Sequence, residues 1–124
     1  MKIKERLLKS KQKWDRHESI KYTMINDING DVIYSYKIET YKDCDWSDEL
    51  YLSEIYVDDK YRGLGYFNKI MDFIVGPCGN YRNQINIVIQ KGSTIQKKYE
   101  EYGFILDSDY DDNTIWMSRK EKIK

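Results

Sequence analysis

The sequence predicts a mixed α/β domain, a mostly antiparallel sheet with helices against it. Three observations predict it. Strand-like runs separated by turn signals fill the first half of the chain. A glycine-punctuated turn then leads into apolar residues at helical spacing. A short β-branched run, a second helix-like segment and two more strand-like runs close the chain. With 124 residues, one proline and 40% apolar content, the chain has the size and composition for one core, so residues 1–124 are expected to form one domain.

Residues 3–14 (IKERLLKSKQKW) read as a short helix, with Ile3, Leu7, Leu8 and Trp14 on a rough apolar side among lysines. Residues 1–16 are therefore expected as a basic N-terminal helix. IKYTMIN at 20–26 alternates Ile20, Tyr22 and Met24, and DVIYSYKIE at 31–39 alternates Val32, Tyr34, Tyr36 and Ile38. Asn29-Gly30 between them is a hairpin turn signal. Beyond the acidic stretch KDCDWSDE, LYLSEIYV at 50–57 supplies a third strand. Phe67, Ile70, Met71 and Ile74 then fall at i, i+3, i+4 and i+7, one face of a helix that Gly76-Pro77 stops. QINIVIQ at 84–90 reads as a buried strand. Ser93 or Thr94 caps a helix carrying Ile95, Tyr99 and Tyr102 on one side, and Gly103 ends it. FILDS at 104–108 and TIWMSR at 114–119 are the last strands, joined by the polar DYDDN.

Lys and Arg together number 21, as do Asp and Glu, so the formal net charge is zero. A dedicated nucleic-acid binder carries a basic excess, which this composition lacks, so nucleic acid is not the expected partner. The charges are still unevenly placed. Lys2, Lys4, Arg6, Lys9, Lys11, Lys13 and Arg16 precede residue 17 against only Glu5 and Asp15, while residues 43–49 and 107–112 are acidic. Cys44 and Cys78 have neither metal-ligand nor CxxC spacing, so two free thiols in a reducing cytoplasm are expected and no metal. No apolar run reaches membrane-spanning length, and the charged N-terminus shows no signal peptide, so the chain is expected to be cytoplasmic with no membrane partner.

The turn around Gly63 and Gly65 admits three readings. A dinucleotide fingerprint fails, because Asn68 stands where the third glycine belongs and three antiparallel-looking strands come first. A P-loop fails for want of GxxxxGK[ST]. An anion cradle remains, in which glycines open consecutive backbone N–H groups at a helix N-terminus while Lys60 and Arg62 add positive charge. On these residues alone it stands level with a plain tight turn.

Read with its neighbours, LYLSEIYVDDKYRGLGYFNKIM resembles the central motif of the GNAT superfamily of N-acetyltransferases. There a strand ending in a hydrophobic-x-Val pattern leads into (Q/R)-x-x-G-x-(G/A) and a helix. Here Val57 is followed by Arg62-Gly63-Leu64-Gly65-Tyr66-Phe67. Tyr99-Glu100-Glu101-Tyr102-Gly103-Phe104 is similar to a second family feature, a helical tyrosine followed by three residues and Gly-Phe. The resemblance runs over residues 20–119 in element order, with its motifs at 50–71 and 92–104.

The resemblance implies a GNAT-like fold, with a parallel strand pair at the coenzyme A site of a mostly antiparallel, twisted sheet. It implies an acetyl-CoA-dependent N-acetyltransferase acting on a primary amine of a small molecule or a protein. By position, the backbone amides of Arg62, Gly63, Leu64, Gly65, Tyr66, Phe67 and Asn68 hold the pyrophosphate. The strand end near Tyr56 and Val57 holds the pantetheine arm and polarises the thioester carbonyl. Tyr99 matches the family tyrosine that protonates the departing thiolate; its alternative is core packing beside Ile95 and Tyr102. An amine with a pKa near 10.4 must lose a proton before attack. Glu54, where spermidine acetyltransferases carry an acid, is the candidate base; its alternative is a charge on a half-exposed strand face. The implied partners are acetyl-CoA and an amine acceptor, and a homodimer is left open.

The sequence departs from the family at several places. Phe67 stands where Gly or Ala belongs, turned away from the pyrophosphate or crowding it. Gly92 and Ile95 replace an Asn and a small residue before the family tyrosine. The chain has no room for the usual first strand and two-helix segment, and the helix at 3–14 stands in for part of them. Two rivals follow: a catalytically inactive GNAT-fold binding or regulatory module, favoured by Phe67 and Gly92, and a nucleic-acid or ribosome-associated accessory protein using the basic N-terminus. The loop DCDWSDE either attracts a cationic acceptor or is simply solvated, with Trp46 packing down or serving a partner surface.

Overall fold

The computed structural model describes residues 2–45, 47–78 and 84–120, without the side chain of Cys78. Its strands are β1 (Glu5–Lys13), β2 (His17–Asn26), β3 (Val32–Tyr41), β4 (Glu49–Val57), β5 (Gln84–Gln90), β6 (Ile105–Asp109) and β7 (Thr114–Lys120). The helices are α1 (Tyr66–Phe73) and α2 (Ile95–Glu101). The strands form one sheet in the order β1-β2-β3-β4-β5-β7-β6. All neighbours are antiparallel except β4 and β5, which run parallel. This is the expected mixed α+β architecture with one parallel pair.

The expected N-terminal helix is a strand. β1 pairs with β2 from Glu5↔Asn26 to Lys13↔Glu18, and the hairpin closes where the Trp14 N–H donates to the His17 carbonyl at 2.7 Å. Every residue of β1 is exposed, so no core imposes a period of two on its side chains. What holds it is the ladder to β2 and a few anchors at its start. The Lys4 N–H donates to Asn26 Oδ1 at 3.0 Å, Arg6 pairs with Asp27 at 2.7 Å, and the Tyr66 hydroxyl donates to Glu5 at 2.8 Å. Lysines along an open edge strand discourage further strand pairing. A strand therefore does precede the meander, and only the three residues 14–16 separate it from β2.

The remaining elements lie within a few residues of their expected positions. α1 continues beyond Phe73 as a π-helical turn, Ile74–Cys78, that contains Pro77. Neither Ser93 nor Thr94 caps α2 through its side chain; Thr94 is the N-cap by backbone alone. Gly103 ends that helix at φ +89°, a left-handed conformation that glycine adopts without strain. Cys44 is a free thiol. Trp46 lies outside the described residues. No helix among the described residues is long and apolar enough to cross a membrane.

Both helices pack on one face of the sheet. Ile70, Met71 and Ile74 from α1 and its extension join Tyr99 of α2 in one buried cluster with Ile38, Leu52, Ile87 and Met117 of the strands. Each fully buried aliphatic contributes about 1.5–3 kcal/mol, so this layer dominates the fold. The opposite face carries no helix among the described residues. Rings cover part of it instead. Trp14 stacks on His17, His17 on Tyr41, and the series continues edge-on through Tyr51 to Trp116 and then tilted to Tyr110, at centroid spacings of 4.6–6.2 Å. Trp116 Nε1 donates to Asn86 Oδ1 at 3.1 Å, and Asn86 is buried.

Candidate active site

β4 and β5 stay paired only from Glu49↔Gln84 to Leu52↔Ile87. Beyond that point β4 continues to Val57 and β5 to Gln90, and a cleft of about 940 Å³ opens between them. A β-bulge accompanies the parting. In the β3–β4 ladder Lys37 faces Ser53 but Ser35 faces Tyr56, so Glu54 and Ile55 together oppose Tyr36. The extra residue slips the alternation by one, and Ile55 and Val57 return to the core side that Leu50 and Leu52 occupy.

Glu54 takes up the slip at φ +53°. A non-glycine residue there bears about 1–2 kcal/mol of strain. Its carboxylate meets Lys37 Nζ at 3.2 Å but is 61% exposed, and an exposed pair contributes only about 0–1 kcal/mol. Burial of Ile55 and Val57, rather than the ion pair, offsets the strain.

The chain leaves β4 through a capped 3-10 turn, Asp59–Tyr61, in which Asp58 Oδ1 accepts from the Lys60 N–H at 3.0 Å. Arg62 buckles this turn: its Nε donates to the Val57 carbonyl at 3.0 Å and its Nη1 meets Asp59 at 2.7 Å. Gly63 and Gly65 follow at φ +79° and +86°, and a Cβ at either would meet nothing within 4 Å. Glycine is required by the backbone conformation, and the space beside both opens to the cleft. Leu64 between them is half-exposed and does not line it.

Tyr66 begins α1 and turns into the core against Tyr34 and Tyr61. Burial first, and then its hydrogen bond to Glu5, push its pKa up to about 12. The Phe67 ring packs edge-on against Tyr99 and Tyr102, at 5.4 and 6.4 Å, with Lys98 Nζ 5.5 Å from its centre. Asn68 Oδ1 accepts from the Tyr102 hydroxyl at 3.0 Å. Phe67 and Asn68 thus brace α1 against α2, and the Phe67 ring forms part of the cleft wall. Tyr56 stands at the mouth, 47% exposed, its hydroxyl donating to Asp58 at 3.1 Å.

Tyr99 is the deepest of these groups. It is 1% exposed, with its ring between Phe67 and Phe104 at 5.4 and 5.7 Å. Its hydroxyl has no hydrogen-bond partner among the described residues. Burial raises its pKa, so the phenol keeps its proton and meets a bound ligand as a donor. An unpaired buried hydroxyl costs about 1–3 kcal/mol, which an acceptor arriving in the cleft would offset.

The structure thus brings Tyr99, Glu54, Tyr56, Val57, Arg62, Gly63, Gly65, Tyr66, Phe67 and Asn68 to one cleft and leaves out Leu64. It adds Val88 and Gln90 of β5, Thr94 at the N-cap of α2, and Ile95, Lys98 and Glu101 of α2. Ile95 and Lys98 flank Tyr99 at i−4 and i−1 on the same helix, a spacing visible in the sequence. The β5 residues have no such signal, since their place depends on where the parallel pairing ends.

A model of the Acetyltransferase (GNAT) domain matches residues 10–119 of the chain. None of the curated proteins matches it. Among solved structures, an acetyltransferase from Thermus thermophilus superposes with a TM-score of 0.64 at 14% identity, over 86% of this chain and 66% of that one. This chain therefore spans just under two thirds of the Thermus protein. An IAA acetyltransferase from Bacillus cereus ATCC 14579 gives 0.64 at 17% identity, over 83% and 78%. Ard1 from Thermoplasma volcanium gives 0.64 at 18%, over 82% and 71%. At such identities the structures speak for the fold.

Proposed function

This chain belongs to the GNAT acetyltransferase family, and we propose that it transfers the acetyl group of acetyl-CoA to a primary amine. The family draws its acyl group from an acyl-CoA thioester. The residues present fit such a molecule: a glycine turn open to the cleft at the start of α1, an unpaired stretch of β4, and a buried phenol without a partner. In this reading the amides from Gly63 to Asn68 receive the pyrophosphate, aided by the positive end of the helix, while the Arg62 N–H already donates to the Asp59 carbonyl at 3.4 Å. The backbone near Tyr56 and Val57 holds the arm and polarises the carbonyl. Glu54, at the mouth, takes the proton of the incoming amine. The Tyr99 hydroxyl holds a proton for the departing sulfur. A thiolate in the same apolar surroundings is also raised in pKa, which narrows the gap to the phenol. We read the protein as cytoplasmic.

The observation that carries this reading is the buried Tyr99 hydroxyl, unpartnered among the described residues, on a side chain that lines the cleft. Calorimetric titration with acetyl-CoA, using free coenzyme A and ATP as controls, tests the binding half. Micromolar binding of both coenzyme A forms with much weaker ATP binding is the expected result; no binding at millimolar ligand refutes it. An inactive binding module is the second reading. One observation favours it: the Arg62 guanidinium is already engaged with Val57 and Asp59. Thiol release on incubation with amines decides between the two.

A further inference from the structure

The cleft does not stop at the helical side of the sheet. Leu52, Ile87 and Ile89 line it from the core side, whereas Ser53, Tyr56, Val88 and Gln90 line it from the helix-free side. The space between β4 and β5 is therefore lined from both faces of the sheet, and on the helix-free side it adjoins the row of rings. Tyr51 is two residues from Ser53 on the same face, and Trp116 is the ladder partner of Val88. From there the rings run through Tyr41 and His17 to Trp14, in steps of 6.0, 5.6, 4.6 and 4.7 Å.

Charge changes along the row. At the mouth stand two carboxylates and one ammonium: Glu54, paired with Lys37 Nζ at 3.2 Å, and, one strand over, Glu39, which meets Ser53 Oγ at 3.4 Å and His17 Nε2 at 3.3 Å. At the far end Trp14 is half-exposed and lines a hollow of about 320 Å³ that also includes Lys13, Arg16 and Lys42 and one carboxylate, Glu18, which Lys11 pairs at 3.4 Å. None of Lys13, Arg16 and Lys42 is in an ion pair among the described residues.

We propose that this row of rings is the track for the acceptor, and that the acceptor is an extended polypeptide. Its amine lies at the mouth beside Glu54, its backbone crosses Trp116, Tyr51 and Tyr41, and its acidic residues enter the basic hollow beside Trp14. The proposal rests on the acetyltransferase reading above and adds the class of acceptor. A compact amine needs only the mouth and leaves the rings and the cations without a ligand. A uniformly cationic polyamine suits the mouth but is repelled at Lys13, Arg16 and Lys42. At about 3.3 Å per extended residue, the path from Trp116 to Trp14 accommodates roughly six residues. The favoured substrate thus carries its acceptor lysine or N-terminus about six residues from an acidic cluster.

The test is acetylation of a peptide library in which the distance and the sign of a charged cluster relative to one lysine are varied, with spermidine and butylamine as compact controls. Peptides with an acidic cluster about six residues away are expected to be the best substrates. Trp14→Ala removes an exposed ring at the end of the row without touching the cleft. It should raise the KM for such peptides roughly tenfold, as removal of an aromatic anchor does, while kcat and the KM for acetyl-CoA hold. Lys13→Glu combined with Lys42→Glu should reverse the charge preference. Turnover of spermidine or butylamine with no peptide preference, or peptide turnover indifferent to both variants, overturns the acceptor proposal but leaves the acetyltransferase reading intact. Failure of acetyl-CoA to bind overturns that underlying reading instead. Salt-sensitive oligonucleotide binding that Trp14→Ala abolishes, with no peptide acetylated, assigns the row to nucleic acid and also overturns the proposal.

Discussion

Replacing Tyr99 by Phe deletes a single oxygen at a position that is 1% exposed. The ring contacts with Phe67 and Phe104 survive the change. In the free protein the hydroxyl is buried without a partner among the described residues, so folding desolvates it without return. The penalty for such a group is about 1–3 kcal/mol, and its removal should stabilise the variant by about 1 kcal/mol at the low end of that range. For a domain of this size that corresponds to a rise in Tm of about 3–5 °C. Activity should move the other way. Loss of a positioned proton donor typically lowers turnover by about 10²–10⁴-fold, so kcat at neutral pH should fall at least a hundredfold, about the lower bound. The affinity for acetyl-CoA, measured by calorimetry, should change little. Circular-dichroism melts and a thiol-release assay on the same preparation give both numbers. A drop in Tm would mean that the hydroxyl has a partner, and an unchanged kcat would make Tyr99 a packing residue only. A variant more stable than its parent yet nearly inactive is the combination that structural packing alone does not produce.

Other outcomes follow from the same geometry. Tyr51 and Tyr66 each carry a pKa pushed up to about 12 by burial first, against an ordinary value of 10.0. The unfolded chain therefore loses these protons before the folded one does, and stability should fall as pH rises from 10 toward 12; melts across that range check it, and a flat profile would contradict it. Gly65→Ala places a side chain at φ +86°, so it should cost about 1–2 kcal/mol and weaken acetyl-CoA binding, as paired melts and titrations would show. Glu54→Gly should recover about 1 kcal/mol of the strain at the bulge while slowing amine turnover, most visibly below the pKa of the amine. Asn26 is fully buried, accepts from the Lys4 and Ile28 N–H groups and donates to Tyr61 and the Lys2 carbonyl, so Asn26→Ala should lower stability by roughly 3 kcal/mol in a urea melt.

Much of this architecture can be read directly where a side-chain period meets a core. QINIVIQ marks β5 residue for residue, and Tyr22 and Met24 of β2 with Tyr34, Tyr36 and Ile38 of β3 mark their hairpin, whereas Val32, expected on the same side, is exposed and Ile33 is buried where the ladder shifts register. The bulge also leaves a trace: in LYLSEIYV the apolar positions run Leu50, Leu52, then Ile55, Val57, a slip of one at Glu54. β1 leaves none, because hydrogen bonds to β2 and anchors at its first residues hold it while its side chains face water, so a chance helical spacing of Ile3, Leu7 and Leu8 misleads. The cleft's glycines and Tyr99 were legible through the resemblance, whereas the contribution of β5 was not. The row of rings lies beyond any local reading. His17, Tyr41, Tyr51 and Trp116 are far apart in the chain, and only the strand registers make them neighbours.

The short parallel ladder has a mechanical consequence. β1 to β4 are stitched in sequence by antiparallel ladders, and β5, β7 and β6 form a second stitched panel. Only the pairs from Glu49↔Gln84 to Leu52↔Ile87 join the panels edge to edge. The sheet thus has a seam, and the cleft is where that seam is already open. A molecule seated there touches both panels and acts as a rivet, so occupancy should slow amide exchange on β4 and β5 more than on β2 or β7. At a ligand concentration about a hundred times its Kd, the gain in stability is about 2.7 kcal/mol.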